Sequence, residues 1–155
     1  MAHGKKHGKK EVEAIAIRCL KKADLRATKP RLAVLEILIG SHGPFTMEEL
    51  HKKVEKDDVD LVTVYRCIAS FQESGIVGRC DFGDGPVRFE YRGEGSEHHH
   101  HVVCTKCRKI QSFDYCLVDG IEKILKKEGY SHISHSLEFF GLCAKCGPDE
   151  HSPES

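Results

Sequence analysis

Two Cys-x-x-Cys pairs, Cys104-Thr105-Lys106-Cys107 and Cys143-Ala144-Lys145-Cys146, constrain this chain more than any other feature. Tetrahedral zinc takes four soft thiolates, and each pair offers two of them to one side of an ion. The 35 residues between the pairs exceed the spacing of a short zinc ribbon. The pairs therefore enclose most of a small domain and tie its first strand to its last residues. A structural zinc of this kind contributes roughly 10–16 kcal/mol in small peptides at neutral pH, which would dominate so small a unit. Two redox dithiols, or a pair of disulfides, are the competing readings.

The 155 residues suffice for one ordinary domain or two small ones. The eight Cys and eleven His are unevenly placed, since residues 91–155 hold five of the Cys and seven of the His. Residues 1–90 are slightly basic, with 16 Lys and Arg against 14 Asp and Glu, and the rest is slightly acidic. Arg92-Gly93-Glu94-Gly95-Ser96-Glu97 is polar and glycine-rich, as a linker is. The expected organisation is a first domain over 1–91, with 1–10 a disordered tail, a hinge at 92–97, a second domain over 98–147 and a tail at 148–155. The zero net charge argues at first against a nucleic-acid binder, but the field of one face decides that question. The opening residues lack an apolar secretory core and no stretch approaches a membrane span. The expectation is a cytoplasmic protein, with no membrane partner, in whose reducing surroundings clustered Cys and His mean metal.

The first domain reads as helices followed by a hairpin. Val12, Ile15, Ala16 and Cys19 recur at helical spacing. Pro30 opens a second helix that Gly40 closes, and Thr46 with Glu49 has the capping-box pattern for a third. Asp60 suits the N-cap of a fourth, Leu61 to Glu73, ended by Gly75. Ile76–Phe82 and Val87–Tyr91 flank a Gly-Asp-Gly-Pro turn. Helices followed by such a wing make a winged helix-turn-helix, whose last helix would offer Thr63, Tyr65 and Arg66 to DNA. Arg26, Lys29 and Arg31 would hold phosphates at the start of the second helix. The same elements also occur in protein-interaction modules, and pattern alone does not choose between them. The second domain reads as strands at His98–Cys104 and Lys109–Asp114, a helix at 117–128 and a returning strand at His132–Leu142. The order is ββαβ.

His98-His99-His100-His101 leads directly into the first cysteine pair. On a strand, His98 and His100 face one side and His99 and His101 the other, so each face offers two imidazoles to a metal. Spacing alone does not say what completes either site. His135 sits on an apolar strand face, where a core histidine is the ordinary explanation. Asp119 at the head of a helix is ordinarily a charge against the helix dipole. Cys80 and Glu90 beside the hairpin turn are ordinarily packing and a solvated charge. Cys19, Cys67 and Cys116 receive no role.

Together, Arg26-Ala27-Thr28-Lys29-Pro30-Arg31, Thr63-Val64-Tyr65-Arg66, the His98–Cys107 run and His135–Cys143 resemble the ferric uptake regulator superfamily of bacterial metal-responsive repressors. The likeness covers residues from about 15 to 146. It implies an α+β protein, an N-terminal winged helix-turn-helix followed by a small ββαβ dimerisation domain. It also implies a homodimer on double-stranded operator DNA, with zinc held structurally by Cys104, Cys107, Cys143 and Cys146. By the same resemblance a regulatory ion, Zn(2+) or Fe(2+), takes Cys80, Glu90, His99 and His101. A second metal site takes His98, His100, Asp119 and His135, with Glu122 able to stand in for Asp119.

Two departures bear on the metal. Iron- and peroxide-sensing members usually draw a His from just before the third helix, where this chain has Pro44, and often a carboxylate where it has Ser112. Fewer hard ligands and the thiol of Cys80 favour zinc as the sensed ion. The alternatives are an iron- or peroxide-sensing member, or a zinc-buffering or redox protein that binds no DNA. An enzyme with a small-molecule substrate is not expected. The deaminase pattern of His-x-Glu with Pro-Cys-x-x-Cys is absent, and a four-thiolate site leaves no open coordination position.

Overall fold

The computed structural model describes residues 8–41, 43–93, 100–113, 118–133, 135 and 137–147. The chain forms two compact units, one ahead of residue 98 and one from it onward. Among the described residues no helix is long and apolar enough to cross a membrane.

The first unit holds α1 (Lys9–Lys22), α2 (Lys29–Gly40), α3 (Met47–Val54), a 3-10 turn at Glu55–Asp57, and α4 (Leu61–Glu73). A hairpin of β1 (Val77–Cys80) and β2 (Arg88–Tyr91) completes it. One core joins the helices: Val12, Ala16, Cys19 and Leu20 of α1 meet Val34, Leu35, Leu38 and Ile39 of α2, with Val64, Cys67, Ile68 and Phe71 of α4. Most of the residues that sequence periodicity places on apolar stripes are therefore buried. Lys9 and Lys10, assigned by sequence to a disordered tail, form the first turn of α1. Residues 1–7 and 148–155, the remainder of both expected tails, lie outside the described residues, as do residues 94–99.

Local chemistry sets the helix ends. The Glu49 amide donates to Thr46 Oγ1 at 3.1 Å while the Thr46 amide donates to Glu49 Oε2 at 2.8 Å, closing the capping box of α3. Asp60 caps α4, its Oδ1 accepting from the Thr63 amide at 2.7 Å. At the other end of α4, Gly75 adopts φ 75°, and the Ile76 amide turns back to the Phe71 carbonyl at 2.9 Å. The chain is thereby aimed straight into β1. The hairpin is antiparallel, with Cys80 opposite Arg88 and Gly78 opposite Glu90. A bridge between Phe45 and Phe89 fastens it to the segment leading into α3.

The second unit contains β3 (His100–Cys104), β4 (Ile110–Phe113), α5 (Asp119–Lys127) and β5 (Glu138–Gly141). The sheet order is β4-β3-β5, with β3 antiparallel to β4 and parallel to β5. The helix α5 lies in the long crossover that a parallel pair requires. The returning strand is shorter than the alternation from His132 to Leu142 predicts. His132 takes φ 54°, a left-handed conformation that interrupts extension, and among the described residues pairing with β3 begins at Glu138. Sequence also starts the helix at 117, which lies outside the described residues. Among its described residues, Ile121, Ile124, Tyr130, Phe139, Phe140 and Leu142 turn outward, each more than two-fifths exposed.

Candidate metal centre and nucleic-acid interface

The strongest constellation is built from the two cysteine pairs. The sulfurs of Cys104, Cys107, Cys143 and Cys146 all lie within 4.8 Å of one another. Cys104 ends β3, and a tight turn carries the chain to Cys107, with Arg108 at φ 62° and its amide bonded back to the Cys104 carbonyl. The second pair follows β5, which the Thr105 amide joins to the first pair by donating to the Gly141 carbonyl at 2.8 Å. Cys107 and Cys143 sulfurs are 3.7 Å apart. A tetrahedral ion bonded to sulfur at about 2.3 Å requires sulfurs about 3.8 Å apart, so the cage fits zinc.

The thiols are graded. Amides of Cys107 and Cys143 donate to Cys104 Sγ at 3.5 and 3.4 Å, and these bonds bring its pKa down to about 6 from an ordinary 9.0. Cys143 is lowered too, first by its bond with the Cys146 thiol. Cys146 is pushed up to about 12, chiefly through its bonds with Cys143 and Cys107. Four thiols this close do not all ionise in each other's presence, and a divalent cation removes that conflict.

The pleat of β3 sends His100 and His101 to opposite faces. His100 is buried, opposite Phe113, and its ring stacks on His135 with centroids 5.3 Å apart. His135 Nδ1 lies 2.7 Å from Glu122 Oε1. Of the two carboxylates weighed from sequence, Glu122 is thus seen to touch His135. His98 and the side chain of Asp119 lie outside the described residues. His135 precedes β5 instead of lying on it, which corrects the expectation of a shared strand face with Phe139. On the other face of β3, His101 is buried opposite Ser112 and Glu138, while His99 lies outside the described residues.

In the first unit, Cys80 and Glu90 share one face of the hairpin, as diagonal neighbours across the antiparallel register. Cys80 is buried and Glu90 half-buried. Directly across from Cys80 stands Arg88, whose Nη1 and Nη2 each reach a different oxygen of Asp84 at 2.8 Å, with the guanidinium 5.5 Å from the Phe82 ring centre. Sequence reading missed this fork. The only hint was an acid four residues before an arginine inside the turn.

The outer face of α4 carries Tyr65 and Arg66, with Thr63 half-buried beside them. Val62, which sequence reading passed over, is 59% exposed in the first turn. Arg26 and Lys29 are exposed, and Arg31 Nη1 donates to the Arg26 carbonyl at 3.1 Å. The six residues picked from sequence as DNA contacts thus lie at the start of α4 and around the start of α2.

A sequence profile of the Ferric uptake regulator family matches residues 22–140. The Peroxide operon regulator of Bacillus subtilis (strain 168) is 32% identical over 139 residues, covering 88% of this chain and 94% of that protein. The solved ferric uptake regulator of Vibrio cholerae is 35% identical with a TM-score of 0.64, covering 81% of this chain and 98% of that one. The Campylobacter jejuni peroxide stress regulator is 32% identical with a TM-score of 0.66, covering 84% of this chain and 98% of that one. An N-terminal winged helix-turn-helix followed by a small ββαβ unit, matched along most of its length, places the protein by fold and by sequence: the chain belongs to the ferric uptake regulator family.

Proposed function

We propose that this chain is a metal-responsive repressor that binds double-stranded operator DNA as a homodimer when its sensor site is loaded. The observation that carries this reading is the exposed Tyr65 and Arg66 on the capped last helix of a winged helix. Residues 1–91 serve as the reading domain, 92–97 as the hinge and 98–147 as the metal-binding dimerisation domain. Arg26, Lys29, Arg31, Thr63, Tyr65 and Arg66 hold DNA. A cytoplasmic setting follows from that work.

The clamp of Cys104, Cys107, Cys143 and Cys146 holds zinc for structure, leaving no coordination position for a substrate. The regulatory ion is held by Cys80, Glu90, His99 and His101, and a second ion by His98, His100, His135 and Asp119 or Glu122. Outward Ile121, Ile124, Phe139 and Phe140, with β5 at a sheet edge, form the surface for a second copy. A regulatory ion with ligands from both domains sets the spacing of two reading helices, so the loaded dimer matches paired half-sites.

Zinc is the favoured sensed metal because Cys80 adds a soft thiolate to nitrogen and carboxylate ligands. The second reading is a peroxide response with ferrous iron, favoured by the names of the two peroxide regulators among the relatives. Zinc is not redox-active, so the readings separate cleanly. Operator affinity is titrated against zinc and against ferrous ion, with and without hydrogen peroxide, in the parent and in Cys80→Ser. Zinc sensing requires the variant to need at least about tenfold more zinc, as the loss of one ligand bond implies, and peroxide to leave the zinc complex intact. A Cys80→Ser protein that needs no more metal than the parent refutes the sensor site. Binding that does not weaken steeply with salt refutes operator contact and leaves a zinc-buffering or redox protein.

A further inference from the structure

The face that α4 turns to solvent carries more apolar surface than phosphate binding requires. Val62 is 59% exposed and Tyr65 is 48% exposed one turn later, followed by exposed Ala69. The anion seat at the N-terminus of this helix is already taken by Asp60, whose carboxylate accepts from the Thr63 amide. A phosphate approaching that end meets a negative charge. A cation stands beside the apolar pair instead: Arg66, exposed next to Tyr65, helps hold the Asp60 carboxyl down.

A cation beside an apolar pair complements a DNA major groove. Phosphates border that groove, and the thymine 5-methyl is the one apolar group a base pair shows within it. A valine suits such a contact, because its χ1 is nearly fixed in a helix and little side-chain freedom is lost on docking. Single exposed apolar residues are common on protein surfaces and need no partner. Val62 differs in standing beside Tyr65, in the first turn of the helix that enters the groove.

We infer that Val62 is a specificity-determining residue that packs against the 5-methyl of one thymine in each half-site, with Tyr65 beside it. This deepens the DNA-binding reading above and rests on it.

The full-length protein, loaded in parallel with zinc and with ferrous ion, selects duplexes from a random library. Each thymine of the selected duplex is then replaced by deoxyuridine, which removes only the methyl. One symmetric pair of positions is expected at which each replacement weakens binding about fourfold, and about 15-fold together, the worth of one buried methyl per half-site. Val62→Ala is expected to bind the parent duplex with the same loss and to make no distinction between thymine and uracil there. Its helical signal and metal content serve as the check on folding, and truncating so exposed a side chain leaves no cavity. Retained discrimination by Val62→Ala at every position, or a duplex in which no thymine methyl matters, overturns the inference. A library from which no duplex is enriched overturns the DNA-binding reading itself, a result distinct from either of those.

Discussion

Removing the ion from the four-cysteine clamp is expected to unfold the C-terminal unit and leave the N-terminal unit standing. The two differ sharply in core. Seventeen buried residues form the cluster of the N-terminal unit. Among the described residues of the C-terminal unit, the buried apolar side chains are those of Val103 and Cys104. A fully buried valine contributes about 2 kcal/mol, against about 1–2 kcal/mol of backbone entropy for each residue ordered. A thiolate-bound zinc, at roughly 10–16 kcal/mol, exceeds what those two buried side chains contribute. The assay is far-ultraviolet circular dichroism with amide hydrogen exchange, on chelated parent protein and on Cys104→Ser. Helices α1 to α4 have 14, 12, 8 and 13 residues and α5 has 9, so the helical signal should fall by only about a sixth. Amides of β3, β5 and α5 should exchange freely while those of α1 to α4 stay protected. Persistent protection of β3 and β5 in protein shown to be metal-free would refute the reasoning.

Two further outcomes follow from the first unit. Asp84→Ala leaves the Arg88 guanidinium, with a side chain 11% exposed, without its fork partner, and should cost about 2–4 kcal/mol in the thermal unfolding of the N-terminal unit. Replacing both residues together with neutral side chains of similar size should cost less than Asp84→Ala alone; an equal cost would mean that packing, not charge, holds the turn. The Asp60 carboxyl should titrate below its ordinary 3.8, since the Thr63 amide stabilises the carboxylate. The stabilisation it gives α4 is therefore full above that ordinary value and lost as pH falls through the lowered one, as an NMR titration of Asp60 will show or contradict.

Features set within one turn of chain were legible in the sequence. The capping box of Thr46 and Glu49 and the Asp60 cap are four-residue patterns whose partners are fixed by helix geometry. The four cysteines were legible for a different reason: thiolates in pairs have few other uses. What failed depended on the path of the backbone. Alternation from His132 onward reads as strand, yet His132 is left-handed and, among the described residues, pairing begins at Glu138. His135 meets Glu122, which the family resemblance offered as the alternative to Asp119. The Arg88–Asp84 fork needs the shape of the turn, which a Gly-Asp-Gly-Pro string does not specify. Val62 shows the opposite limit, since an apolar residue in sequence carries no mark of whether it ends up inside or out.

The clamp also sets an order in time. Its first thiol lies beside the amide of a residue 39 positions later, and the parallel pairing of β3 with β5 crosses nearly the same interval. The four-thiolate cage cannot close around an ion until Cys146 has been made. The N-terminal unit is complete at Tyr91, so it has a head start of roughly 3 to 11 s at ordinary rates of synthesis. The winged helix is thus made in full before the clamp can form. On the function proposed above, pairing of two copies waits for the last cysteine and for a metal ion, so the supply of zinc governs how many winged helices become dimers.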